Sequence, residues 1–313
     1  MKPFCRKYTR REIYMKFIKK AAALLLAFLM LLIPATALAD ESNVTDTTTA
    51  ESFVCYGDDL NSEQFEKVMN LLGADLSKDQ LIKVTIDDEK ALLGSIISAD
   101  KIGSRSLSSA RVTLTGEGTG ISVTTQNINW VTSSMYSSAL ATAGVDNARI
   151  VVAAPVEVSG TAALAGILKA YESAASTQLS DEAKAVAGSE MVLTGDLADM
   201  IGSDDAVELL AMVKNAIAEY HLDDYDSLRP YVEQGAKQLG VQLTEDQIDQ
   251  ITKLGVQIAK LDLDPEKLAG QLNGLVDNIQ KIQKVQQSAG SIFTNIKTAV
   301  QGFFNWIGSW FKR

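Results

Sequence analysis

Ala110-Arg111-Val112-Thr113-Leu114-Thr115, Gly116-Glu117-Gly118-Thr119-Gly120 and Ile121-Ser122-Val123-Thr124-Thr125 together decide the fold class. In the first run Ala110, Val112 and Leu114 alternate with polar neighbours, which is the period of a half-buried strand. The glycine-rich middle can turn the chain, and Ile121, Val123 and Thr125 alternate again, so residues 110–125 read as a hairpin. Beyond it, residues 130–143 form a Ser/Ala-rich helix ending at Gly144, and Ala148 to Ala154 is an apolar strand. Ser159-Gly160-Thr161 then opens a helix in which Leu164, Ile167, Leu168 and Tyr171 share a face. A strand–helix–strand order favours a parallel pair with a right-handed crossover. The expected fold class is therefore α+β, with a small mixed sheet covered by helices and extended by a helical C-terminal region.

On either side of this stretch, three segments carry the same start signal. Asn61 with Gln64, Ser77 with Gln80, and Thr244 with Gln247 each place a capping oxygen three residues before a glutamine that can reach back. Phe65, Val68, Met69 and Leu72 follow the first at helical spacing, and Ile248, Ile251 and Ile258 follow the third. After the second, Ile82, Val84 and Ile86 alternate, so Ser77 is expected to cap no more than a short turn. Further on, Asp264 suits an N-cap and Pro265 the first helical position, ahead of a stripe of Leu268, Leu272, Leu275, Ile279 and Ile282.

The ends bound the compartment. Lys16, Lys19 and Lys20 flank an apolar run of 13 residues, Ala21 to Ile33, followed by Pro34 and the small-x-small Ala37-Leu38-Ala39. Residues 1–39 thus read as a signal peptide, with Met15 as an alternative start. Residues 40–51, rich in Thr, Asp and Ser, read as a flexible linker. Residues 52–220 are expected to form the α+β domain, 221–289 a helical region and 290–313 an amphipathic tail helix. Removing eight basic and one acidic leader residues from totals of 29 and 39 leaves 21 and 38, a formal charge of −17. A body of that sign repels nucleic acid, so no nucleic-acid partner is expected. Cys5 falls in the leader, so Cys55 would remain alone in Phe53-Val54-Cys55-Tyr56. It reads as a buried small hydrophobe.

Ser108-Ser109-Ala110, Met135-Tyr136, Ala141-Thr142-Ala143-Gly144-Val145, Val158-Ser159-Gly160-Thr161-Ala162-Ala163-Leu164 and Lys169-Ala170-Tyr171-Glu172 occur in this order. Together they resemble the YpuA-like proteins of Firmicutes, domain-of-unknown-function family 1002, over roughly residues 52–275. The resemblance implies an exported protein. It implies no activity and no catalytic residues.

The chain carries little equipment for catalysis. His221 is the single histidine, placed where a helix ends. No serine stands in a G-x-S-x-G elbow, and no catalytic residue or cofactor is expected. Ser159, Gly160 and Thr161 form a strand-to-helix turn, where backbone amides can hold an anion. The expected role is nonetheless structural, an ordinary helix start capped by Ser159 or Thr161, with anion binding as the alternative. Acids cluster at Asp58-Asp59, Asp87-Asp88-Glu89, Asp204-Asp205 and Asp223-Asp224-Tyr225-Asp226. They read as solvated helix starts, with Asp223, Asp224 and Asp226 as a weak calcium candidate.

The tail differs from the rest. Ile292, Ile296, Val300, Phe303, Ile307 and Trp310 recur at steps of three or four, and Phe304, Trp306 and Phe311 widen the apolar face. Phe303, Phe304, Trp306, Ile307, Trp310 and Phe311 are the expected contacts with a membrane surface or a partner; closure of the protein's own core is the alternative. The functional expectation is a non-catalytic extracytoplasmic protein binding an envelope partner, a wall polymer or the membrane surface. A hydrolase using paired carboxylates on wall glycans is the alternative.

Overall fold

The computed structural model describes residues 52–95, 104–277 and 279–280. All belong to one compact unit, Ala50–Arg313. The segments expected to be the leader, the linker and the tail helix, with Phe303, Phe304, Trp306, Ile307, Trp310 and Phe311, lie outside the described residues.

The elements are β1 (Ser52–Gly57), α1 (Ser62–Leu72), β2 (Gln80–Val84), α2 (Ile86–Leu93), β3 (Ser109–Leu114), β4 (Ile121–Ile128), α3 (Ser133–Thr142), β5 (Ala148–Val158), α4 (Thr161–Ala175), α5 (Asp181–Ile201), α6 (Ser203–Tyr220), α7 (Tyr225–Leu239) and α8 (Glu245–Ala259). A ninth described helix, α9, covers 265–277. The fold is α+β. Its five-stranded sheet has the order β2-β1-β3-β5-β4. β1 runs parallel to β2 and antiparallel to β3, β3 is antiparallel to β5, and β4 is parallel to β5.

The two strands expected as a hairpin both form, but they do not pair with each other, because β5 lies between them. The burial patterns explain the exchange. β5 is largely buried across Ile150–Pro155, which suits a central strand, whereas β4 alternates half-buried and exposed residues, which suits an edge. The α3 crossover returns β5 parallel to β4, as the strand–helix–strand order implies.

One face of the sheet presents Phe53, Cys55, Ala110, Val112, Ile150 and Val152 to Leu164, Ile167 and Leu168 of α4. Gly166 sets how closely that helix can lie, since a Cβ there would sit 2.6 Å from Cys55 Sγ. Cys55 is fully buried, and desolvation pushes its thiol up to about 12. The other face buries Val54 and Ala153 beneath Val68, Met69 and Leu72 of α1. Helices α5 to α8 build a second core around Leu209, Leu210, Val213, Leu228, Val232, Ile251 and Leu254. α5 serves both cores, giving Met191 and Val192 to the first and Val186 and Leu197 to the second.

The capping boxes at Asn61/Gln64 and Thr244/Gln247 are present. Ser77 caps no helix. Its amide and hydroxyl both donate to Asp75 Oδ1 in the turn before β2. Asp264 accepts from the amides of Glu266 and Lys267 at the head of α9.

Candidate functional site

The turn Ser159-Gly160-Thr161 connects β5 to α4. Gly160 is the N-cap, at φ +95°, and no side chain caps the helix. This departs from the expected Ser159 or Thr161 cap, because the Thr161 hydroxyl is used elsewhere: it donates to Glu89 Oε1 at 2.5 Å. The Tyr136 hydroxyl donates to Gly160 O. Glu89 reaches the turn from α2, where Ile86, Glu89 and Leu93 fall on one stripe. It is 1% exposed, so it is no solvated helix-start acid. Its Oε2 is buried without a hydrogen-bond partner. Desolvation pushes its carboxyl up to about 7, against the opposing bond from Thr161. The helix start that could take an anion therefore already faces a carboxyl group of its own chain.

A second polar cluster lies between α3, α5 and α6. Lys214 Nζ sits 2.7 Å from Glu190 Oε1, and both side chains are sealed from solvent. Ser138 Oγ donates to Glu190 Oε1 at 2.5 Å and accepts from Lys214 at 2.8 Å. Thr142 donates to Glu190 Oε2 and accepts from Lys214 at 3.2 Å, and Ser138 O accepts a further bond from the lysine. Burial lowers the lysine's pKa, and Glu190 works against that shift. A serine beside a lysine has the composition of a nucleophile with its base. Here the serine is 1% exposed and its hydroxyl is spent on the glutamate, so the arrangement serves the core.

Two hollows on the surface of the described residues bear on function. The first is a groove of about 810 Å³ between the start of β4, α3 and α9. Hydroxyls line it at Thr119, Ser122, Ser133, Ser134 and Ser137, and apolar side chains at Ile121, Val123 and Leu275. Its ionic members are Glu117, Asp146 and Lys267. Asp146 Oδ2 pairs with Lys267 at 3.1 Å, and its Oδ1 accepts from Gln271 at 3.3 Å. The acid beside it holds the lysine's pKa above its usual value. The second hollow, about 890 Å³ and more open, holds Asn215, Glu219, His221, Asp264 and Glu266. His221 closes α6 in the left-handed region, at φ +53°.

Asp224 is the N-cap of α7 and accepts from Ser227 N at 3.0 Å, which lowers its pKa. Asp226 lies in the first turn of the same helix. Among the described residues no three His, Cys, Asp or Glu side chains gather as a metal site, and this includes Asp223, Asp224 and Asp226. No described helix is long and apolar enough to cross a membrane.

The sequence reading took Glu89 for a solvated acid and missed Glu190, Lys214 and Ser138. A signal was there: Lys214 interrupts the stripe Val207, Leu210, Ile217, and Glu190 sits among Val186, Ala187, Met191 and Thr194. A charge inside an apolar stripe calls for a buried partner.

Residues 56–275 match the family model described as "Protein of unknown function (DUF1002)". The chain is similar to the uncharacterized protein YpuA of Bacillus subtilis (strain 168), with 34% identity over 285 residues, covering 89% of this chain and 96% of that protein. The chain belongs to the DUF1002 family. No solved structure matches it.

Proposed function

We propose that this chain is a non-catalytic binding protein that works outside the cytosol, in the cell envelope or beyond it, and that the groove between β4, α3 and α9 is its contact surface. The observation that carries this reading is the groove's lining. It combines hydroxyls, two side-chain amides and small residues with one committed ion pair, Asp146–Lys267, while the described serine–lysine pair is locked in the core. The leader-like segment and the acidic body support the compartment. The partner is an envelope protein, a wall polymer or the membrane surface.

Fractionation of the producing cells, with protease added to intact cells, tests the compartment. The protein should be lost to external protease or recovered from the medium. Recovery in the cytosol with residues 1–39 still attached would end the reading.

One observation favours a second reading: Glu117 and Asp146 share the groove. Paired carboxylates are the equipment of a glycosidase. Release of reducing ends from wall glycan by the purified protein, lost in Asp146→Asn, would establish the hydrolase instead.

A further inference from the structure

The sheet's two margins are built differently. β2 has five residues, and its Lys83 pairs with Asp58 at 2.8 Å. β4 has eight, Ile121–Ile128, none of them charged and none proline. Charges and prolines are the usual means by which an edge strand refuses another strand. The irregularity at Gln126/Ile128 disturbs only the far end of β4. At the near end Gly120 O accepts from Ala148 N, and Gly120 N donates to Asn147 Oδ1. Backbone alternation then turns the amides and carbonyls of Ile121, Val123 and Thr125 away from β5. Among the described residues no strand pairs with that margin.

The groove runs along the start of this margin, at Ile121, Ser122 and Val123. Its far wall, α9, carries Gly270 and Gly274 one turn apart, and a Cβ at either would meet nothing within 4 Å. Glycine weakens a helix interior, and among the described residues no neighbour requires it. Two bare helix positions facing an unpaired strand leave room for another backbone. The third wall offers Ser133, Ser134 and Ser137 as hydrogen-bonding groups.

We propose that an extended polypeptide segment of another protein binds in this groove as a sixth strand, hydrogen-bonded to Ile121, Val123 and Thr125 beneath α9. This deepens the binding reading above and rests on it. Main-chain bonds give such a complex its affinity, and alternate side chains give it selectivity. The charge of the groove narrows the partner. Lys267 is already paired with Asp146, Glu117 adds a second acid to the groove beside the start of β4, and the chain as a whole is acidic at −10. The segment is therefore neutral to basic, with small or β-branched residues at alternate positions.

The test uses the full chain as its producer makes it. The probes are fluorescent heptapeptides of alternating Thr and Val, carrying zero, one or two terminal lysines, and the same peptides N-methylated at alternate amides. Binding should tighten with lysine number and weaken about tenfold or more on methylation, as the loss of two or more hydrogen bonds requires. Hydrogen exchange should slow at Ile121, Val123 and Thr125 when peptide is added. The double variant Gly270→Gln, Gly274→Gln should bind at least tenfold more weakly while melting no lower than the parent.

Equal binding of methylated peptides, or amides of Ile121, Val123 and Thr125 that are already protected in the free chain, would overturn strand addition. Wall fragments that bind the groove where no peptide does would also overturn it, yet leave the broader binding reading standing. Groove variants that alter no binding to peptide, wall or vesicle would remove both.

Discussion

Glu89 and Glu190 are both buried, at 1% and 0% exposure, and they are provisioned in opposite ways. Glu190 has a lysine at 2.7 Å and two hydroxyl donors, and each of its oxygens is bonded. Glu89 has one hydroxyl, from Thr161, and one oxygen with no partner. The difference teaches where the fold is rigid and where it can respond. Glu190 ties α5 to α3 and α6 at the junction of the two cores. Glu89 leans on the β5–α4 turn and resists ionisation, since its desolvation outweighs the bond from Thr161 and the attraction of Lys90.

The largest expected effect comes from breaking the provisioned side. Lys214→Met leaves Glu190 in the interior without its counter-ion. Stranding a buried charge costs about 3–5 kcal/mol. Replacing both partners, as Lys214→Met with Glu190→Met, should recover most of the loss, because a buried ion pair contributes little beyond its apolar substitute. Urea unfolding of the two variants checks this. A single variant as stable as the parent would show that the pair is not closed to water.

The unprovisioned side should respond to pH. The Glu89 carboxyl is raised from 4.5 to about 7 in the fold. Between those values the folded chain keeps a proton that the unfolded chain has released, so stability falls as pH rises. Below the lower value both states hold the proton, and above about 7 neither does, so the loss is then complete. The window corresponds to about 3 kcal/mol. Glu89→Gln should flatten this part of the profile and leave the variant more stable than the parent at pH 8. Unfolding free energies at pH 5 and pH 8 decide it, and an unchanged slope in the variant would remove Glu89 as the cause.

The same contrast shows what the sequence could reveal. Local signals carried through: Asn61 and Thr244 cap as their spacing indicates, and Leu268, Leu272 and Ile279 are buried as their stripe indicates. A cap or a stripe is settled within one or two turns, so it is written in consecutive residues. Partner choice is not. Alternation marked β3 and β4 as strands but could not say that β5 would separate them, since pairing depends on segments 20 or more residues away. Ser138, Glu190 and Lys214 are likewise 52, 24 and 76 residues apart in their pairings. Each looks ordinary within its own helix. The groove is harder still to foresee, because its walls come from β4, α3 and α9, and it depends on what those elements leave empty.

A smaller change sharpens the comparison from the Glu89 side. Thr161→Val keeps the shape of a side chain that is 1% exposed and removes the single donor to Glu89. Leaving a buried acceptor unmet costs about 1–3 kcal/mol. The cost should be greater at pH 8 than at pH 5, because the ionised carboxylate needs the donor more than the neutral acid does. Equal costs at the two pH values would mean that Thr161 serves only to pack the turn.

The smallest effect is expected from the matching change on the other side. Ser138→Ala also removes one hydroxyl from a buried glutamate, but its neighbours keep their partners. Glu190 retains Lys214 and Thr142, and Lys214 retains Glu190, Thr142 and the carbonyl of Ser138, which the substitution does not touch. Alanine also favours the interior of α3 more than serine does, which offsets part of the loss. The net cost should be about 1 kcal/mol, below that of Thr161→Val at pH 8. Thermal melting of the two variants side by side at that pH makes the measurement. A larger loss from Ser138→Ala would mean that the hydroxyl, rather than the lysine, holds Glu190 in place. The two glutamates would then differ less than their surroundings indicate.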